Sequence, residues 1–67
     1  MTQSREQLLE KLHNERKVLE ENIVRLERFL RSEDFENLSV AHQSLLGSQL
    51  AAMGSYDQIL GARISLM

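Results

Sequence analysis

The sequence predicts an all-α protein: an antiparallel two-helix hairpin assembling into a compact helical homo-oligomer. Three observations carry this expectation. Apolar residues return at three-, four- and seven-residue intervals in both halves, and no sustained apolar–polar alternation marks a strand. Proline is absent, and the three glycines all fall after residue 46. Finally, a chain of 67 residues is short, and one of this size buries only about 60% of the surface its unfolded form exposes. Small domains are stabilised by disulfides, a metal or oligomerisation. With no cysteine and two histidines, disulfides and thiolate sites are excluded and a structural zinc site is disfavoured. Association with copies of itself remains.

Helix one is expected over about residues 4–31. Ser4 and Gln7 have the spacing of a capping box, and Glu6 suits the positive end of the helix dipole. Leu8, Leu12, Leu19, Ile23, Leu26 and Leu30 then form one apolar stripe on a helix of about 27 residues, roughly 40 Å long. Glu21–Arg25 and Glu27–Arg31 are spaced for ion pairs in the favourable order, and Arg28 and Arg31 suit the negative helix end. A heptad with Leu12, Leu19 and Leu26 at one core position puts Leu8, Glu15, Asn22 and Phe29 at the other. A buried Asn22 would fix register and oligomeric state, or would grasp a ligand at an otherwise apolar interface.

Residues 32–38, Ser-Glu-Asp-Phe-Glu-Asn-Leu, break the pattern and predict a turn solvated by its acids, with Phe35 and Leu38 plugging the hairpin end. Ser39 is the expected N-cap of helix two, over about residues 39–65. Its apolar positions are Leu46, Leu50, Met53, Tyr56, Leu60, Ile64 and Met67. The short connection predicts antiparallel helices in a single domain, residues 1–67.

Charge divides the chain unevenly. Seven of the eight basic residues and nine of the ten acids lie in the first 38 positions; beyond them only Asp57 and Arg63 are charged. A helix wetted on one side carries more charge than that, so helix two is expected to be covered on more than one face. Gly47, Gly54 and Gly61 recur every seventh residue, near Ala51 and Ala62. Each mid-helix glycine costs about 0.8–1.0 kcal/mol relative to alanine, so the stripe calls for close approach of another backbone or of a ligand.

These patterns narrow the function classes. The chain has no cysteine nucleophile, phosphate-binding glycine loop or nucleophile elbow, so enzymatic activity is not expected. Glu10 and His13 form a Glu-x-x-His, the spacing of di-iron bundles, but as one copy on a charged face; no metal and no cofactor are expected. His13 reads as a surface residue and His42 as a first-turn residue of helix two. A net charge of −2, with bases interleaved among acids, argues against DNA or RNA polymers. Lys17, Arg25, Arg28 and Arg31 could still focus positive potential when copies assemble, and arginines meeting across a symmetry axis can hold a small phosphorylated ligand. No apolar run approaches the ~20 residues of a membrane span, and Met1 to Gln7 is too polar for a signal peptide. A cytoplasmic protein without membrane contact is the expectation.

The stretch Leu19-Glu20-Glu21-Asn22-Ile23-Val24-Arg25-Leu26-Glu27-Arg28-Phe29-Leu30 resembles the phage-encoded anti-CBASS cyclic-oligonucleotide sponges and their relatives. So does the run Gln43-x-x-Leu46-x-x-Gln49-Leu50-x-x-Met53-x-x-Tyr56-x-x-Ile59-Leu60-x-x-Arg63-Ile64. The likeness spans roughly residues 8–64. It implies a helical homo-oligomer, a hexamer, that binds cyclic di- or trinucleotides between protomers and sequesters the host's antiviral messenger uncleaved. The family's base-stacking aromatic and phosphate-holding lysine on the first helix match Leu8 and Asn22 here. Those departures leave apolar contact and an uncharged hydrogen-bonding group, which weakens the dinucleotide site. The arginine of the closing Arg-Ile, matched to Arg63, is kept; in the family it contacts trinucleotide phosphates near a three-fold axis, beside a residue matched to Val24. The candidate ligand-binding set is Leu8, Lys11, Asn22, Val24, Arg25 and Arg63. The competing expectation is a helical oligomer that binds a host protein through the acidic Glu33, Asp34 and Glu36 and takes no small ligand.

Overall fold

A serine caps each of the three helices in the computed structural model, which describes residues 4–67. Ser4 accepts a hydrogen bond from the Gln7 backbone N–H at 3.1 Å and donates its own N–H to Gln7 Oε1 at 3.2 Å. This is the capping box read from the sequence, and it starts α1, Arg5–Phe29. The polar opening read from Met1 onward lies partly outside the described residues. Ser39 accepts from the His42 N–H at 3.1 Å and starts the second long helix, α3, Val40–Ser65.

Between them the expected turn holds a single helical turn, α2, Glu33–Glu36. Ser32 explains both this element and the end of α1 two residues before the expected boundary. Its hydroxyl donates to the Phe29 carbonyl at 2.6 Å, closing one helix, and accepts from the Phe35 N–H, opening the next. The acids expected only to solvate a turn instead occupy the first turn of α2, where the helix dipole favours them. Phe35 packs edge-on against Phe29, ring centroids 6.3 Å apart. The Gln43 amide bonds the carbonyls of Phe35, Glu36 and Leu38 at 2.9–3.3 Å, so the first turn of α3 satisfies the open C-terminal end of α2.

The two long helices pack antiparallel. Arg16 Nε donates to Asp57 Oδ1 at 3.2 Å across the hairpin and lies 3.8 Å from Glu20 on its own helix. These are the ion pairs among the described residues. The expected Glu21–Arg25 and Glu27–Arg31 pairs do not form. Arg25 turns to Asn22 Oδ1 at 3.3 Å, and Arg31 donates to the Glu27 backbone carbonyl at 3.4 Å.

The core is narrow. Leu12, Leu19 and Leu60 are buried, and Leu8, Ile23, Met53, Ile64 and Met67 pack against them half-exposed. On α1 the hairpin seam therefore runs through Leu8, Leu12, Leu19 and Ile23, with Arg16 half-buried beside it, whereas Glu15 and Asn22 are exposed. The heptad expected to bury Asn22 is offset by one position, because the stripe drifts round a straight helix. Tyr56, read as a core position, sits at the edge of the seam and is 42% exposed. Large apolar side chains lie bare on α3: Leu45, Ile59 and Leu66 are 69%, 56% and 87% exposed. A Cβ on Gly61 would meet the Arg16 guanidinium at 3.0 Å, while Gly47 and Gly54 face open space. Close packing inside the hairpin thus accounts for one of the three glycines.

Candidate ligand-binding face

The Arg16–Asp57 bond divides the hairpin into two unlike faces. It draws the sole acid of α3 to one side, together with Glu20, Glu27 and Gly61. By helical periodicity the opposite side carries Lys11, Asn22 and Arg25 from α1, and Gln49, Tyr56 and Arg63 from α3. Glu15 is the acid on that side, against three cations. None of Lys11, Arg25 and Arg63 is in an ion pair among the described residues. With Arg16 opposite Asp57 and a rise of about 1.5 Å per residue on each helix, Lys11 stands level with Arg63, Val18 with Tyr56, and Arg25 with Gln49, to within about a residue.

The candidate residues read from the sequence are thus only partly gathered. Lys11, Asn22, Arg25 and Arg63 share this face. Arg25 is held by Asn22 Oδ1, leaving the Asn22 amide N–H groups and the rest of the guanidinium to donate elsewhere. Leu8 is half-buried against the core cluster, so its side chain serves the hairpin first. Val24 lies on the outer side of α1, 44% exposed, in a shallow open groove of about 450 Å³ with Lys17, Glu20, Glu21, Arg25 and Arg28. It points away from Arg63, so the two can meet only between copies. A second shallow groove, lined by Gln7, Glu10, Lys11 and Asn14, also lies wholly on α1. His13 is exposed. Among the described residues no three His, Cys, Asp or Glu side chains converge as a metal site, and no helix is long and apolar enough to cross a membrane.

Gln49 and Tyr56 also lie on this face, although neither was read as a candidate. The signal was present: His42, Gln49, Tyr56 and Arg63 recur every seventh residue, and all four are exposed. Tyrosine's apolar ring placed it in the core row instead.

Fold and face together define a small helical hairpin whose one side is cationic and whose second helix leaves apolar surface uncovered. The chain belongs to the Sequestin family, whose profile matches residues 6–66. That name describes a sequestering protein, which is the coarse function the family supports. No curated protein and no solved structure matches the chain.

Proposed function

We propose that this protein is a phage immune-evasion sponge: it binds a cyclic di- or trinucleotide messenger of host antiviral signalling and withholds it without cleaving it. The carrying observation is the cationic face, where Lys11, Arg25 and Arg63 have no acidic partner among the described residues while Asp57 is paired with Arg16 on the far side. A cation spared from ion pairing is available to a phosphate, and charge-assisted hydrogen bonds to phosphate are about twice as strong as neutral ones. Membership of a family named for sequestering supports the same reading. Holding a messenger needs donors and apolar platforms; it needs no nucleophile, and none is assigned. Assembly into a homo-oligomer in the host cytoplasm, with no nucleic-acid polymer as partner, completes the proposal.

The test is retention. Each cyclic nucleotide of an adenine and guanine panel is mixed with the protein, passed through a size-excluding filter, then released by heating and chromatographed. A sponge depletes one ligand from the filtrate and returns it intact. Ligand wholly in the filtrate refutes binding, and a linear product refutes sequestration without cleavage.

A further inference from the structure

Arg16 and Asp57 meet where each long helix interrupts a repeat of its own. α3 nearly repeats every seventh residue: Leu46, Met53, Leu60 and Met67 form one row, Gly47, Gly54 and Gly61 a second, and Leu50, Asp57 and Ile64 a third. Asp57 is the one charged member of these rows. On α1, Arg16 shares its seven-residue row with Leu9, Ile23 and Leu30, and all four are half-buried. Each helix thus sets one charged residue in an otherwise apolar row, and the two bond to each other at 3.2 Å.

Such a repeat leaves the apolar residues nearly blind to axial position. Sliding α3 by one heptad moves it about 10.5 Å along α1. Leu12 then exchanges Leu60 for Met53, and Leu19 exchanges Met53 for Leu46. Even the room that Gly61 makes for the Arg16 guanidinium is reproduced at Gly54, which faces open space in the register described. What the slipped hairpin loses is the pair: Arg16 is set against Leu50, and Asp57 against Leu9. The opposite slide sets Arg16 against Ile64. The Asp57 side chain is only 17% exposed and that of Arg16 36%, and a charge withdrawn that far from water is costly to leave unpaired.

We infer that Arg16 and Asp57 are positioning residues: their bond selects this register from heptad-slipped alternatives that keep the apolar rows, and so sets which α3 residue stands beside Lys11 on the opposite face. Such a pair is a poor source of stability, since withdrawing two charges from water offsets much of their attraction. A single polar position in an apolar repeat is well suited to fixing register. As folded, Arg63 stands level with Lys11, and Gln49 with Arg25. One heptad of slip brings Tyr56 to Lys11 and carries Arg63 about 10.5 Å away. The consequence for a ligand rests on the proposed function; the choice of register does not.

The chain lacks cysteine, so introduced thiols can read the register. Lys11→Cys with Arg63→Cys reports the register described, and Lys11→Cys with Tyr56→Cys the slipped one. Each is treated with a bis-maleimide spanning about 10 Å, the separation of packed helix axes. Links within a chain are told from links between copies by mass under denaturing conditions. In the wild-type background only the first pair should link. In Arg16→Leu/Asp57→Leu, helicity and denaturation midpoint should match or exceed wild type, while the slipped link rises about tenfold. Arg16→Lys keeps the charge pair and should return the first link alone. Where the wild type retains a cyclic nucleotide, the apparent affinity of the cysteine-free double-leucine variant should fall in proportion to the fraction of chains left in register.

A slipped link in the wild type, or the first link alone in the double-leucine variant, overturns the inference. So does loss of helicity in that variant, because the pair would then hold the hairpin together rather than choose its register. Undiminished binding by slipped chains removes the consequence for the ligand alone. A wild type that binds no cyclic nucleotide removes the proposed function and leaves the register assignment standing.

Discussion

α1 and α3 are nearly equal in length, 25 and 26 residues, yet they solve different problems. α1 is amphipathic: one apolar stripe turns inward and the rest is wetted by acids and bases. α3 carries little charge and spreads its apolar residues round the helix; only Leu60 is fully buried in the hairpin, while Leu45, Ile59 and Leu66 stand in solvent. A helix that exposes large apolar side chains on a side its partner does not cover is shaped for further helices. The contrast gives charge and solvent to α1 and leaves uncovered apolar surface on α3. It also explains why the cationic face straddles both: its cations come chiefly from the wetted helix, and Arg63 is the one that α3 contributes.

The comparison can be broken first at the core the helices share. Leu60→Ala removes the one fully buried side chain among the described residues. Such truncations cost about 2–5 kcal/mol, most of what a domain this small has, so thermal melts followed by circular dichroism should show a broad, early transition or none. A cooperative melt within a few degrees of wild type would mean the core is held from elsewhere.

Arg63→Ala separates binding from assembly. The loss of a charge-assisted bond to a ligand phosphate is worth about 1.5–3 kcal/mol, so affinity should fall at least tenfold, with mass by light scattering unchanged. Equal affinity would remove Arg63 from the site.

The glycines sharpen the account of α3. Gly54→Ala meets nothing in the protomer, so it should stabilise the isolated hairpin by up to about 1 kcal/mol through helix propensity. Gly61→Ala gains the same propensity but pushes aside the Arg16 guanidinium and strains its bond to Asp57, so its net gain should be smaller. Denaturation at low protein concentration compares them. If Gly54→Ala instead lowers the oligomer's mass, the glycine stripe is a second interface.

The smallest effect is expected at the hairpin end. Gln43→Ala leaves the carbonyls of Phe35, Glu36 and Leu38 to water and should cost about 1 kcal/mol. Faster amide exchange confined to residues 33–38 would show it.

Much of this was legible in the sequence because the signals were local. The Ser4–Gln7 box, the Ser39 cap and the leucine rows each depend on residues within two turns, and each places its element. What depended on the partner helix was not legible. Arg16 was unremarkable until Asp57 faced it, and the ion pairs read along α1 gave way to the Asn22–Arg25 contact and to the bond from Arg31 to the Glu27 carbonyl. Asn22 was placed in the seam by a strict heptad counted from Leu8, whereas the core runs from Leu8 and Leu12 through Leu19 to Ile23 and leaves Asn22 exposed. Ser32 could have been read as a cap followed by acids, but its position at the end of a longer pattern hid it. Of the candidate ligand residues, Lys11, Asn22 and Arg25 share a face because they follow one edge of α1, and antiparallel packing turns Arg63 of α3 to the same side. Leu8 and Val24 came from resemblance alone, and the hairpin sends them elsewhere.

The most direct measurement is calorimetric titration of the wild-type protein with cyclic di- and trinucleotides, its mass fixed by light scattering in the same buffer. The account predicts an oligomer that binds one of them tightly at fewer than one ligand per protomer, because the site is completed between copies. An oligomer that binds none of them, or one that saturates at a full ligand per protomer, would contradict it.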